Sequence, residues 1–179
     1  MNLEELINSC GKGNTASQSV LYQTYKDTLF AVSLKYCKNR EEAQDNLQDA
    51  FLEIFKRIKK FKHVGSFEGW MKRITINKAI DKYKKNVKSK DLNYHSLTQE
   101  EVAITPIDQI PLATILKFIQ NLPDQYRLVF NLYELDDFSH REISKLLAIS
   151  EGTSKSNLNR AKKILKQNIN EYHKQVHEE

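Results

Sequence analysis

Hydrophobic and polar positions repeat with a helical period along most of this chain. Residues 2–9 make a short amphipathic segment, which Gly11, Gly13 and Asn14 interrupt so that Thr15 can start a new helix. From Ala16 to Cys37 the residues Val20, Leu21, Tyr25, Leu29, Val32 and Tyr36 recur at steps of one, three or four, predicting one buried stripe. Asn39 followed by Glu42 has capping-box spacing. Beyond it Ala43, Leu47, Ala50, Phe51, Ile54, Phe55 and Ile58 trace the apolar face of a third helix. The turn between the two long helices is very short, which favours antiparallel packing. A basic run, KRIKKFK (56–62), and a loop at 63–66 then lead to a fourth helix from Phe67 to about Lys85.

Between 86 and 111 the period fades into a polar stretch with two prolines, the pattern of a linker. A helix resumes from Leu112 to Asn121, and Pro123 suits the first turn of the next. With 40% hydrophobic residues but only 5 Gly and 3 Pro, the composition favours helices over a turn-rich sheet protein. The expected fold is all-α: two small helical domains, 1–86 and 112–179, joined by a flexible linker, 87–111. Cys10 and Cys37 have no CxxC neighbour and no His at ligand spacing, so they read as free thiols. Neither a metal nor another cofactor is expected. The N-terminus lacks a basic start followed by an apolar run, and no stretch approaches the ~20 apolar residues of a membrane span. The expectation is a cytoplasmic chain with no membrane segment of its own.

The segment from Phe138 to Lys166 has the pattern of a helix-turn-helix. Ser139 and Glu142 form a capping box ahead of a helix whose Ile143, Leu146 and Leu147 face inward. After a tight turn with Ile149 plugged between the helices, Ser150 can cap a second helix, Thr153 to Lys166, with Leu158, Ala161 and Leu165 inside. Its opposite face carries Lys155, Ser156, Asn159, Arg160 and Lys163, with Lys162 and Lys166 nearby. Lys and Arg neutralise phosphate, and Ser and Asn near the helix N-terminus hydrogen-bond base edges in the major groove. A merely solvated basic face is the alternative, against which the caps and the short turn weigh. The net charge of +5, most of whose excess lies in residues 1–83, suits approach to a polyanion.

Asp45, Gln48 and Asp49 share one surface of the third helix, being spaced i, i+3 and i+4. An acidic and amide patch repels DNA and suits a basic protein surface, although a solvated helix face fits the same residues. On the fourth helix Trp70, Ile74, Asn77 and Asp81 are spaced to share a face, with Arg73 beside it and Tyr83, Lys84 and Lys85 extending its basic end. Cations with nearby aromatics suit single-stranded DNA, with Trp70 read as core rather than as a stacking platform. The basic run ending at Lys60 and Lys62 equally fits solvent.

Three blocks in order, EEAQDNLQDAFLEIF (41–55), FEGWMKRITINKAIDKYKK (67–85) and LPDQYRLVFNLYELDDFSHREISKLLAISEGTSKSNLNRAKKIL (122–165), together resemble an extracytoplasmic-function (ECF) sigma factor. The resemblance implies a protein that is not an enzyme. It would bind core RNA polymerase and direct initiation at specific promoters, by melting and capturing the −10 element and recognising the −35 element. It implies polymerase contacts at Asp45, Gln48, Asp49 and Phe51, against the clamp helices of the largest polymerase subunit. For the −10 element it implies Lys60, Lys62, His63, Arg73, Asn77, Lys84 and Lys85, with base capture by the loop at about 60–67. For the −35 element it implies Arg141, Thr153, Lys155, Ser156, Asn159, Arg160 and Lys163. An anti-sigma factor is a further implied partner.

Several residues depart from the family pattern. Asn46 is polar where the helix is usually apolar, Lys84 replaces an Arg, and Ala148 holds a turn position commonly taken by Gly. Ser154 and Asn157 replace a Val and an Arg of the recognition helix, so the family's −35 sequence does not carry over. An ordinary helix-turn-helix regulator with a sensing or dimerising N-terminal domain would share the DNA reader, but needs no acidic helix followed by a basic aromatic one. For an enzyme the best groups are Asp45 with Asp49, which lack a third partner, and His173 with His177, read as a solvated polar tail.

Overall fold

The computed structural model describes residues 2–87 and 110–177. Every regular element among them is helical, and the chain divides into two compact units, Met1–Lys82 and Tyr83–Glu179. The predicted linker lies almost wholly outside the described residues.

In the first unit, α1 (Leu3–Gly11) starts at a full capping box, with Asn2 Oδ1 accepting from the Glu5 N–H at 2.9 Å and Glu5 accepting from the Asn2 N–H at 3.0 Å. Gly13, at φ +83, turns the chain where an L side chain would be strained. Asn14 then caps α2 (Thr15–Tyr36), and a 2.7 Å hydrogen bond between the Ser9 and Ser17 hydroxyls ties the two helices together. The predicted stripe of α2 buries Leu21, Leu29, Val32 and Tyr36 and half-buries Tyr25, but Val20 is 49% exposed. Val20 sits one residue before Leu21, on the outer edge of the stripe.

α3 (Arg40–Arg57) is capped by Asn39, which accepts from the Glu42 N–H at 2.8 Å. The reciprocal half of the predicted box does not form: Glu42 reaches past Asn39 to the Lys38 N–H at 3.4 Å and the Lys38 ammonium at 2.9 Å. A 3-10 turn (Ile58–Lys60) and a loop lead to α4 (Phe67–Val87). The core gathers Leu6, Ile7 and Cys10, Leu21 and Leu29, Leu47, Phe51 and Ile54, Ile58, and Phe67, Met71 and Ile74, joining all four helices. At about 25 cal/mol per Å² of apolar surface, this shared burial rather than helix propensity holds the unit together.

Asn46 lies inside that core, 2% exposed. Its side-chain amide donates to Ser33 Oγ on α2 at 3.1 Å and to the Thr75 carbonyl on α4 at 3.2 Å. One polar side chain thus bridges three helices, where an apolar residue would only fill space.

In the second unit, α5 (Leu112–Gln120) and α6 (Asp124–Phe130) meet at a turn locked by Arg127, which is 4% exposed. Its guanidinium donates to the carbonyls of Gln120 and Leu122, both at 2.8 Å, and pairs with Asp124. The arginine thereby satisfies carbonyls that the end of α5 leaves open. α6 passes into a π-helical turn (Asn131–Leu135), followed by α7 (His140–Leu147) and α8 (Glu151–His177). α8 packs on α6 and α7, with Leu122, Tyr126 and Ala161 at the buried centre and Phe130, Ile164 and Leu165 against them. α8 also runs far beyond the predicted end at Lys166. Residues read as a solvated tail are helical, with Tyr172 edge-on to Phe118 at 6.3 Å and His173 only 9% exposed.

Candidate nucleic-acid interface

The helix-turn-helix is built from two caps and one strained residue. Ser139 and Glu142 complete their capping box at α7, and Ser150 Oγ accepts from the Thr153 N–H at 2.9 Å to cap α8. Between them Ala148 takes a left-handed conformation, φ +55 and ψ 46, which closes the turn. Ile143 and Leu147 are buried, whereas Leu146 and Ile149 are half-buried at the joint.

The first turns of α8 present Thr153, Lys155, Ser156, Asn159 and Arg160 to solvent, with Lys163 half-buried and Arg141 exposed on α7. Ser156 Oγ donates to the Thr153 carbonyl at 3.0 Å, leaving its oxygen as an acceptor. Arg160 reaches back to Tyr126 Oη at 3.4 Å. Lys162 pairs with Glu134 at 2.7 Å.

Ser154 and Asn157 do not belong to this surface. Ser154 is fully buried, 2.9 Å from His140 Nδ1, and Asn157 is 2% exposed, donating to Gln125 Oε1 at 2.9 Å. Both point inward because they lie four residues before Leu158 and Ala161 on the buried stripe. Their departure from the family pattern therefore concerns how α8 is seated on α7 and α6, not a side chain laid against bases.

In the N-terminal unit, Asp45, Gln48 and Asp49 are exposed side by side on α3. Phe51 is not on that surface: it is 3% exposed, with its ring centroid 4.7 Å from Tyr22 and 5.8 Å from Phe55. Lys82 lies 3.8 Å from Asp45 and Lys78 lies 3.4 Å from Glu53, so ion pairs link α3 to α4. Burial opposes ionisation of Glu53, but Arg57 and Lys78 outweigh it and hold its carboxyl below the usual range.

Lys60, Lys62 and His63 are exposed around a loop that bends through left-handed residues at His63 (φ +56) and Gly65 (φ +78). Phe61 anchors that loop, with ring centroids 4.8 Å from His63, 5.1 Å from Phe67 and 5.5 Å from Trp70. Ser66 caps α4 by accepting from the Gly69 N–H at 3.0 Å. Val64, 83% exposed, stands at the loop tip. Trp70 is half-buried against Phe67, as its reading as core expects. The face predicted from spacing splits, since Ile74 is buried while Arg73, Asn77 and Asp81 are exposed. Of the basic end of α4, Lys85 is exposed and Lys84 half-buried.

A groove of about 610 Å³ runs between α2 and α3, lined by Tyr22, Lys26, Asp27, Phe30, Arg40, Gln44, Leu47, Gln48, Phe51, Leu52 and Phe55. Leu52 is 63% exposed on its rim, an apolar residue out of phase with the α3 stripe, and that mismatch was the available signal. Among the described residues no helix is long and apolar enough to cross a membrane, and no three His, Cys, Asp or Glu side chains are grouped to hold a metal.

Two family models match the chain: Sigma-70 region 2 over residues 21–89 and Sigma-70, region 4 over residues 112–165. The ECF RNA polymerase sigma factor SigM of Bacillus subtilis (strain 168) is 32% identical over 150 residues, covering 82% of this chain and 91% of its own length. SigW of the same organism, also an ECF RNA polymerase sigma factor, is 27% identical over 182 residues, covering 94% and 97%. Among solved structures, the sigma factor RpoE of Bartonella quintana, crystallised with the anti-sigma factor NepR, is similar in fold. Its TM-score is 0.53 at 19% identity, over 85% of this chain and 96% of that one.

Proposed function

This chain belongs to the ECF family of RNA polymerase sigma factors, and from that membership we propose how its residues divide the work. It directs promoter recognition by RNA polymerase through regions 2 and 4, a task of binding rather than catalysis. In our reading, residues 1–86 form the polymerase-binding and −10 domain, 87–111 the linker, and 112–179 the −35 domain.

The acid-amide face of α3, Asp45, Gln48 and Asp49, docks on core polymerase, and the neighbouring groove with Leu52 at its rim widens that contact. Phe51 acts from beneath, by holding α3 against α2. Lys60, Lys62 and His63 on the loop, with Arg73, Asn77, Lys84 and Lys85 on α4, hold the melted −10 strand, the cations tracking phosphate beside the aromatic cluster. Arg141, Thr153, Lys155, Ser156, Asn159, Arg160 and Lys163 grip the −35 duplex, with α8 in the major groove. The observation that carries the division is one of opposite chemistry: an exposed acid-amide face on α3 and an exposed basic and hydroxyl row at the start of α8.

The work takes place in the cytoplasm, with polymerase and promoter DNA. An anti-sigma factor is the proposed regulatory partner, as one accompanies the Bartonella relative in its crystal. Replacing Asp45 and Asp49 together by Lys tests the docking face. Polymerase binding, followed by gel filtration or anisotropy, should be abolished while the circular dichroism stays helical; unchanged binding would remove both residues from the interface.

A further inference from the structure

His140, the first residue of α7, belongs to none of these contact sets. Its ring lies against Tyr133 of the π-helical turn, centroids 4.3 Å apart and planes 20° from parallel. Nδ1 is 2.9 Å from the fully buried Ser154 Oγ at the start of α8. The ring is half-buried, and Nε2 makes no hydrogen bond among the described residues. Arg141 follows it on α7, and Thr153 and Lys155 flank Ser154 on α8, all three exposed. The charged groups that act on the ring are Lys155 and Glu151 of α8, while Glu134 of the π-helical turn is engaged by Lys162.

We propose that His140 is a proton-linked contact for a backbone phosphate of the promoter duplex, with Ser154 as its positioning partner. The inference rests on the reading of α8 as the −35 helix. In the neutral ring Nδ1 accepts from the Ser154 hydroxyl and Nε2 carries the proton toward its outside partner. When the ring takes up a proton from solvent, both nitrogens donate. Ser154 tolerates that reversal, because a helical serine hydroxyl rotates to accept from Nδ1 and turns its own hydrogen to the carbonyl one turn back. A valine at 154 supports neither state, and would leave Nδ1 facing a buried methyl group.

Without DNA, burial and Lys155 together outweigh Glu151 and keep the ring's pKa below its ordinary 6.5. The fold disfavours the charged ring, so as pH falls below the ordinary value protonation works against the free native state. A phosphate oxygen at Nε2 reverses this by stabilising the imidazolium, so DNA binding takes up a proton and tightens as pH falls.

The test uses the full chain assembled with core polymerase, and a promoter fragment that this complex selects from a random duplex pool. Kd is measured for wild type, His140→Gln and Ser154→Val across the pH range. The ratio of the His140→Gln Kd to the wild-type Kd should be near one at about pH 8 and rise to about five- to tenfold at about pH 6. Ser154→Val should lose the same acid-dependent gain, which keeps the proposal testable if His140→Gln fails to fold. A loss independent of pH, or none in either variant, would overturn it and make His140 a packing residue. If the complex selects no fragment at all, the −35 reading falls, and the proposal with it.

Discussion

Ala148 holds the helix-turn-helix bend in a left-handed conformation that costs an L-residue roughly 1–2 kcal/mol and glycine almost nothing. Replacing it with Gly should stabilise the protein by about 0.5–1 kcal/mol, the relief of strain outweighing the extra freedom of the unfolded chain. An unchanged or lower urea midpoint would show the turn to be unstrained. Asn46 has the opposite character, a polar residue fixed by two bonds inside an apolar core. Asn46→Ala leaves the Ser33 hydroxyl short of a donor and opens a void, and should lower stability by about 1–3 kcal/mol in the same assay. Single positions were the hardest part to read from sequence. Ser154 and Asn157 follow the phase of Leu158 and Ala161 and are buried with them, whereas comparison with the family's recognition helix tied them to the −35 sequence. Phe51 lay on the buried stripe from the outset, and period was a better guide to its place than motif position.

Helices and their caps were more legible, because caps and apolar spacing act within a few residues. α2 begins at the predicted Thr15, and α3 and α7 begin directly after the predicted caps Asn39 and Ser139. Where an element depends on distant partners, the pattern fell short. The final turns of α8 are polar apart from Ile169, Tyr172 and Val176, too sparse to announce a helix, and Tyr172 finds its partner Phe118 some fifty residues back on α5. Truncation after Lys166 should therefore weaken the C-terminal unit, by about 0.5–1.5 kcal/mol for the aromatic pair beyond the area it buries. A thermal midpoint equal to that of the full chain would make those turns ornamental. Between α3 and α4 the Glu53 cluster has a pH signature. Its carboxyl is held below its ordinary 4.5, so its contribution is complete above that value and lost as pH falls through the lower folded value. Glu53→Gln should flatten the acid side of the stability profile between those two points, and an unaltered profile would show the cluster to be inert.

At the scale of the molecule, the resemblance to the family rests on three sequence blocks in order, 41–55, 67–85 and 122–165, and the chemistry of their faces agrees with it. The groove between α2 and α3 was not visible, since its walls come from two separate helices, Tyr22 to Phe30 on one side and Arg40 to Phe55 on the other. Arg160→Ala should weaken binding to the −35 duplex by about 1–3 kcal/mol if its guanidinium meets a base, and with little sequence preference if it meets phosphate. The proposed domains 1–86 and 112–179 are assigned to two separate patches of one promoter, and footprinting of the assembled polymerase complex reads both at once. Hydroxyl-radical protection should mark an upstream duplex patch and permanganate reactivity a melted downstream patch. Arg160→Ala should erase the first, and Lys84→Ala with Lys85→Ala should diminish the second. A chain that protects duplex DNA tightly alone, yet joins core polymerase without producing any melted patch, would contradict the two-point grip.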